Sequence, residues 1–342
     1  MDYKGKKVLV VGMARSGQAV VKALADRGAR ISICDRKSES DLGGQAGKMR
    51  EMGAAVYAGA YPEVSGDRFD LVVASPGVPL DVAPFRQAFD QGVLVIGEIE
   101  LAYQLKSNEL EICAVTGTNG KTTTTALLEH IFRNAGRTTA AAGNIGVPLT
   151  GIVENFKKGI VALEMSSFQL ETIKSFRPRY CAIINITPDH IDRHKTMAGY
   201  IEAKAKIFMN QNKGDYCVLN HDDPRVCELA PRCPGRVMFF SNRHILEQGA
   251  FLENGIIKII WDGRLYEIED LSQIGLRGRH NQENILCAAS LAFLAGVEVP
   301  VIARALRTFK GVRHRMEEIP TTDGVLYIND SKATNPDSAI KA

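Results

Sequence analysis

A chain of 342 residues, 45% hydrophobic and 24% charged, has the composition of a globular protein with sizeable cores, in two or three domains. Its formal charge of +3 is near balance, so nothing calls for nucleic acid or an anionic membrane as partner. No apolar run approaches the ~20 residues of a bilayer span. The N-terminus goes straight into Lys6-Lys7-Val8-Leu9-Val10-Val11-Gly12, a strand rather than a signal peptide, which predicts a cytoplasmic protein. Seven cysteines fit that setting. Cys34, Cys113, Cys181 and Cys217 fall in predicted strands and Cys287 in a helix, while Cys227 and Cys233 lack the second pair that a zinc site needs, so buried free thiols are expected.

The first segment, 1–107, alternates apolar runs with helical patterns. Strands are predicted at Val8–Val11, Arg30–Cys34, Ala55–Ala58, Leu71–Ala74 and Val93–Ile96, and helices at Gln18–Asp26 and Val82–Asp90. Such alternation predicts a parallel sheet with helices on both faces. After the first strand, Gly12-Met13-Ala14-Arg15-Ser16-Gly17 is G-x-G-x-x-G with alanine in the second place. Ala14 adds a methyl where a dinucleotide pyrophosphate needs close backbone approach, so another nucleotide-linked ligand is preferred, its anion facing Arg15, Ser16 and Gly17. Asp35 ends the next strand at the offset from which a carboxylate meets a ribose hydroxyl. Ser75-Pro76-Gly77, after the fourth strand, sits where open sheets place their ligand crevice, although Pro-Gly is also a common turn.

The second segment, 108–310, begins with the apolar run Ile112–Val115, then Thr116-Gly117-Thr118-Asn119-Gly120-Lys121-Thr122-Thr123, then a helical pattern through Phe132. Strand, glycine loop, Lys-Thr, helix is the plan of a phosphate-binding loop, with Val115 in place of the usual first glycine. Lys121 would reach the outer phosphates and the Thr122 hydroxyl would ligate Mg²⁺. Further on, the glycine turn 143–146 could present Asn144 to a ligand. Glu164 lies inside the apolar run 160–165, where a carboxylate is costly unless paired or metal-bound, so a Mg²⁺ ligand is preferred over a structural ion pair. The apolar strand Tyr180–Ile186 discharges into Thr187-Pro188-Asp189-His190-Ile191-Asp192-Arg193-His194, a catalytic-looking cluster in which His190 could hold a metal. Tyr200, Lys204 and Phe208 share one helix face by i, i+4 spacing, and on spacing alone Lys204 reads as a snorkelling surface lysine. Asn254-Gly255 and Asp262-Gly263 bracket Ile256–Trp261 as a small antiparallel meander. Gly278 opens a helix through Leu294, on which Asn281 and Asn284 could cap or reach a base edge.

The third segment, 311–342, holds His314-Arg315, a predicted strand Val325–Ile328, and Asp330-Ser331-Lys332-Ala333-Thr334-Asn335-Pro336 before a starting helix. Asp330 follows its strand in the manner of a metal or phosphate site. About thirty residues cannot bury a core of their own, so this end reads as unfinished.

In order, Thr116–Thr123, Asn144-Ile145-Gly146, Leu163–Leu170, Asn185–Arg193, Tyr200–Phe208, His280–Asn284, His314-Arg315 and Asp330–Asn335 resemble the motifs of the Mur ligase family. Two stretches, Leu163–Leu170 and Asp330–Asn335, resemble its D-glutamate-adding branch. The resemblance implies an α/β protein: a Rossmann-like UDP-substrate-binding domain at 1–107, a P-loop ATPase-like ATP-binding domain with a small antiparallel hairpin at 108–310, and at 311–342 the stub of a third α/β domain. It implies an ADP-forming ligation of D-glutamate to UDP-N-acetylmuramoyl-L-alanine through an acyl phosphate. The setting would be peptidoglycan synthesis, and so cell wall biogenesis, shape and division. ATP would lie on Gly117–Thr123, with Asn281, Asn284 and Arg315 near base and phosphates and Asp330 beside the nucleotide. Thr122 and Glu164 would hold one Mg²⁺, and His190 with a carbamylated Lys204 a second. Lys121, Glu164, His190 and Lys204 would be catalytic. The uridine nucleotide would meet Arg15, Ser16, Gly17, Asp35, Arg36, Ser75, Pro76, Gly77, Asn144 and His190. A monomer is expected. With most of the D-glutamate-binding domain missing, this chain is expected to bind the uridine nucleotide with little or no turnover. The competing readings are a nucleotide-binding module without catalysis, a folylpolyglutamate synthase-like ligase, and a nicotinamide oxidoreductase using residues 12–35, which Ala14 disfavours.

Overall fold

Five parallel strands organise the N-terminal unit. The computed structural model describes residues 2–322 and 325–333. Strands β1 (Lys7–Val11), β2 (Arg30–Asp35), β3 (Ala55–Ala58), β4 (Leu71–Ala74) and β5 (Leu94–Gly97) alternate with helices α1 (Arg15–Ala25), α2 (Gln45–Glu51), α3 (Ala83–Asp90) and α4 (Glu98–Leu105). The sheet order is β3-β2-β1-β4-β5, all parallel. Val8 and Val10 turn to one apolar cluster, with Val20, Val21 and Leu24 of α1. Leu9 and Val11 turn to the other, with Phe85 and Ala88 of α3. Strands buried on both faces read as continuous Val/Ile/Leu runs, and that is why they stand out in the sequence. Strand order reverses between β1 and β4, the switch point at which such sheets leave a crevice.

The chain continues through β6 (Leu110–Thr116), α5 (Lys121–Asn134), β7 (Thr139–Gly143), α6 (Leu149–Asn155), β8 (Gly159–Glu164), α7 (Ser167–Glu171), β9 (Tyr180–Ile183), α8 (Ile191–His194), α9 (Met197–Ala205), β10 (Tyr216–Asn220) and α10 (Pro224–Cys227). Then come β11 (Arg236–Ser241), β12 (Gly249–Glu253), β13 (Ile256–Trp261), β14 (Arg264–Asp270), α11 (Arg279–Leu294), α12 (Val299–Thr308), β15 (Glu317–Thr322) and β16 (Val325–Asn329). A nine-stranded sheet runs β14-β13-β12-β11-β10-β9-β6-β8-β7, parallel from β6 through β9, β10 and β11 to β12, and antiparallel in the meander β12-β13-β14. Leu127, Leu128, Ile131 and Phe132 of α5 and Ile285 to Ala289 of α11 pack on it in one core. β15 and β16 form a separate antiparallel pair.

Two compact units result. Unit 1 comprises Met1–Leu110, Ala142–Lys158 and Ser167–Phe176, and unit 2 comprises Glu111–Ala141, Gly159–Ser166 and Arg177–Ala342. Segments that follow the phosphate loop in sequence thus return to unit 1. All seven cysteines are free, with Cys227 and Cys233 half-buried rather than buried as expected. Among the described residues no helix is long and apolar enough to cross a membrane. Thr334, Asn335, Pro336 and the helix expected after them lie outside the described residues.

Candidate functional site

In unit 1, the chain leaves β1 through a turn that has no room for a side chain at Gly12 or Gly17. A Cβ at Gly17 would lie 1.9 Å from the Gly12 carbonyl oxygen, and Gly12 itself has φ +103° against Ser75. Asp35 secures this turn: its carboxylate accepts the Met13 N–H at 2.9 Å and the Lys37 N–H at 3.0 Å. The Ser75 hydroxyl donates to the Gly12 carbonyl at 3.2 Å, joining the ends of β1 and β4. A cleft of about 560 Å³ opens at this switch point, a volume suited to a nucleotide-sized ligand. Arg15, Ser16, Asp35, Arg36, Ser75, Pro76, Gly77 and Asn144 all line it. Gly17 does not; its place is in the turn beneath. His190 belongs to unit 2.

The cleft has further walls that no motif indicated. Lys37 adds a third cation to Arg15 and Arg36, against the single carboxylate of Asp35, and Tyr61, Val78 and Val82 supply an apolar side. The wall that the Asn144-Ile145-Gly146 motif did indicate is an arm, 143–148, that contributes Gly143, Asn144, Gly146 and Pro148. It closes on itself through the Gly143 N–H to the Val147 carbonyl at 3.0 Å, and the Arg15 Nη1 donates to the Gly146 carbonyl at 3.2 Å. The start of α1 and three cations give the cleft a positive side, the charge that attracts anions.

In unit 2, the loop 117–120 carries the chain from β6 into α5. Gly120 has φ +84°, and a Cβ there would lie 2.1 Å from Asn284 Oδ1. The Thr124 hydroxyl donates to that same oxygen at 3.3 Å, and Asn284 Nδ2 donates to Asn281 Oδ1 at 3.0 Å. Asn281 and Asn284, both buried, therefore brace the loop through α11. From the end of β9, Asn185 Oδ1 accepts the Thr118 and Asn119 N–H groups at 3.1 and 2.9 Å, and Asn185 Nδ2 donates to the Asn119 carbonyl at 3.2 Å. Asn185 opens the Asn185–Arg193 motif, but nothing in the sequence indicated that its side chain holds the loop. α5 follows with the unpaired first-turn N–H groups and positive dipole end that bind phosphate.

Lys121 Nζ donates to the Gly117 and Thr118 carbonyls at 3.0 and 2.7 Å. Burial holds its ammonium below the usual lysine range, with Glu164 pulling the other way and Arg315 adding to the depression. Lys204 is not a surface lysine: it is 1% exposed, and the snorkelling reading is overturned. Spacing placed it correctly on the face of Tyr200 and Phe208 but could not say that this face is covered by the phosphate loop. Its Nζ donates to the Gly117 carbonyl at 2.6 Å and sits 4.6 Å from the Tyr200 ring centre. Burial first, then the nearby Lys121 charge, push the Lys204 amine well below its ordinary value. Tyr200, pushed up to about 12 by burial, shares a 3.2 Å hydrogen bond with the Thr118 hydroxyl. Glu164 is buried at the end of β8, and His190 sits in the left-handed region (φ 52°) with Nε2 3.7 Å from Asp189. Arg315 Nη1 donates to the Lys332 carbonyl at 2.8 Å, and Asp330 accepts the Met316 N–H at 3.2 Å, so Arg315 and Asp330 are tied together at the Glu317–Asn329 end of the β15–β16 pair.

Among the described residues no three His, Cys, Asp or Glu side chains are gathered to hold a metal. Mg²⁺ does not require them: it takes one or two protein oxygens and completes its shell with phosphate and water. The Glu164 carboxylate and the Thr122 hydroxyl, at the end of β8 and in the first turn of α5, are hard oxygen donors of that kind, and the residues present fit the ion.

Residues 115–292 match the model of the Mur ligase middle domain, and residues 6–97 that of the Mur ligase MurD-like N-terminal domain. The chain is 46% identical over its whole length to the UDP-N-acetylmuramoylalanine--D-glutamate ligase of Pelotomaculum thermopropionicum, covering 75% of that protein. It is 45% identical to the one of Clostridioides difficile, covering 76%. Among solved structures, it resembles the UDP-N-acetylmuramate:L-alanyl-gamma-D-glutamyl-meso-diaminopimelate ligase of Neisseria meningitides with TM-score 0.61 at 19% identity, over 90% of this chain and 99% of that one. It also resembles the UDP-N-acetylmuramate-alanine ligase of Thermotoga maritima with TM-score 0.56 at 22% identity, over 98% and 76%. A parallel-sheet cleft, a phosphate loop braced by asparagines and identity of this extent along the full chain have one meaning: the chain belongs to the Mur ligase family.

Proposed function

We propose that this chain is the nucleotide-binding part of an ATP-dependent, ADP-forming amide ligase that joins D-glutamate to UDP-N-acetylmuramoyl-L-alanine in cytoplasmic peptidoglycan precursor synthesis, working as a monomer. The observation that carries the reading is the buried Lys204 beneath a phosphate loop, in a chain 43–46% identical to relatives bearing that name. The uridine diphosphate occupies the unit 1 cleft, its phosphates against Arg15, Ser16 and Arg36, with Asp35 toward the ribose and Ser75, Pro76, Gly77 and Asn144 along the remaining walls. ATP lies on Gly117–Thr123, with Asn281, Asn284, Arg315 and Asp330 around it.

The substrate carboxylate attacks the γ-phosphate, forming an acyl phosphate and releasing ADP. The amine of D-glutamate then attacks the acyl carbon, and phosphate leaves. Lys121, released from the loop carbonyls by the arriving phosphates, neutralises the crowded γ-oxygens. Water must be kept out, because an acyl phosphate hydrolyses. Mg²⁺ held by Thr122 and Glu164, and a second ion held by His190 and a carbamylated Lys204, would supply further charge neutralisation at those oxygens. The Lys204 reading is supported by its environment: burial lowers the proton affinity of the amine, and the unprotonated amine adds CO₂, forming an N–C bond and losing one proton, to give a carboxylate.

Calorimetric titration tests the assignment. Both UDP-N-acetylmuramoyl-L-alanine and Mg·ATP are expected to bind the 342-residue chain, and EDTA is expected to weaken ATP by about tenfold or more. No uridine-nucleotide binding at millimolar concentration would sink the reading; tight NADH binding would replace it with the oxidoreductase alternative.

A further inference from the structure

One wall of the cleft, the 143–148 arm, is fastened at its base by a residue outside every motif. Glu98 opens α4 directly after β5 and is 1% exposed. Its Oε1 accepts both the Thr150 N–H and the Thr150 hydroxyl, each at 2.6 Å. Thr150 is fully buried, two residues beyond Pro148 of the arm. The other carboxylate oxygen, Oε2, is buried with no hydrogen-bond partner among the described residues. The aim of the side chain is set by its neighbour: a Cβ at Gly97 would lie 2.2 Å from Thr172 Oγ1, so the backbone entering α4 is held close to the 167–176 segment. A buried carboxylate is an expensive way to satisfy one threonine. Here that threonine is the root of a ligand-lining arm, which Arg15 also holds through the Gly146 carbonyl.

We propose that Glu98 is a positioning residue for uridine-nucleotide binding: through Thr150 it holds the 143–148 arm, and with it Asn144, in the shape that closes one side of the cleft. The inference rests on reading the cleft as the uridine-nucleotide site. Glu98 itself does not line the cleft. Removing its carboxylate leaves two buried Thr150 donors unanswered, which the chain relieves by letting the base of the arm move.

The test compares Glu98→Ala, Glu98→Gln and Thr150→Val by calorimetry with UDP-N-acetylmuramoyl-L-alanine and by hydrogen exchange of the 143–147 amides, Pro148 having none. Glu98→Ala is expected to weaken the uridine nucleotide by about tenfold or more, with faster exchange across the arm and unchanged Mg·ATP affinity. Glu98→Gln, which keeps the acceptor oxygen, restores affinity to within about threefold, and Thr150→Val, which keeps only the N–H donor, falls between. A Glu98→Ala protein that melts lower yet binds with wild-type affinity and unchanged arm exchange would overturn the proposal. Should Glu98→Ala not fold, wild-type affinity and arm exchange in Thr150→Val would overturn it instead. If the wild-type chain fails to bind the nucleotide, the cleft reading is what falls. Arm exchange that rises in Glu98→Ala and recovers in Glu98→Gln still upholds the fastening, and flat exchange in all variants removes it.

Discussion

At the scale of single residues, Lys204 carries the most chemistry for its size. An ammonium with no water around it is costly, and the depressed proton affinity of Lys204 expresses that cost. The sign of the pH effect follows. Carbamylation consumes the neutral amine, so at fixed bicarbonate the adduct increases with pH and levels off once the amine is neutral. A depressed value moves that plateau to lower pH than for an exposed lysine. With ¹³C-bicarbonate, a protein carbamate resonance is expected in the wild type and lost in Lys204→Met. A spectrum unchanged by the substitution would remove the modification from the mechanism. The sequence alone made Lys204 unremarkable, because i, i+4 spacing reports which residues share a face and not what covers it. Glu164 was more legible, since an acid inside Ile160–Met165 conflicts with its surroundings wherever the strand ends up. Glu98 and Asn185 were not: each acts on a backbone or side-chain donor more than 50 positions away.

At the scale of elements, the strand–loop–helix unit around Gly120 depends on two demands met by one residue: a left-handed φ and Asn284 pressed against the missing side chain. Gly120→Ala is expected to cost ~1–3 kcal/mol of stability in urea unfolding and to abolish measurable ATP binding. Unchanged stability and affinity would mean that α11 can retreat from the loop without loss. Elements buried on both faces, such as β1, β4, β6 and β9, could be read from their apolar runs, and the meander β12-β13-β14 from its Asn-Gly and Asp-Gly turns. Others gave little local signal. β7, Thr139–Gly143, is mostly alanine, a poor strand former. β15 carries Glu317, Glu318 and Pro320, a composition of edge strands. α4 opens with Glu98-Ile99-Glu100 and no side-chain cap, its acids spent on segments 150 and 174–176.

For the whole molecule, the two candidate sites belong to different compact units, each with its own cations. Arg15→Ala is expected to weaken the uridine nucleotide by about tenfold and leave Mg·ATP unchanged, and Lys121→Ala to do the reverse. Calorimetry on both variants checks this; loss of both ligands from either one would show that the sites cannot be treated separately. The units are not consecutive stretches of chain, however. The polypeptide passes from one to the other at residues 110, 141, 158, 166 and 176. A fragment stopped at 110 would lack Gly143, Asn144, Gly146, Pro148 and Gln169, a wall of its own cleft. The same interleaving sets a timetable for synthesis: at ~5–20 residues per second, making the 66 residues from Glu111 to Phe176 keeps the first cleft open for about 3–13 s after Leu110 is added, and the phosphate loop is made within that interval.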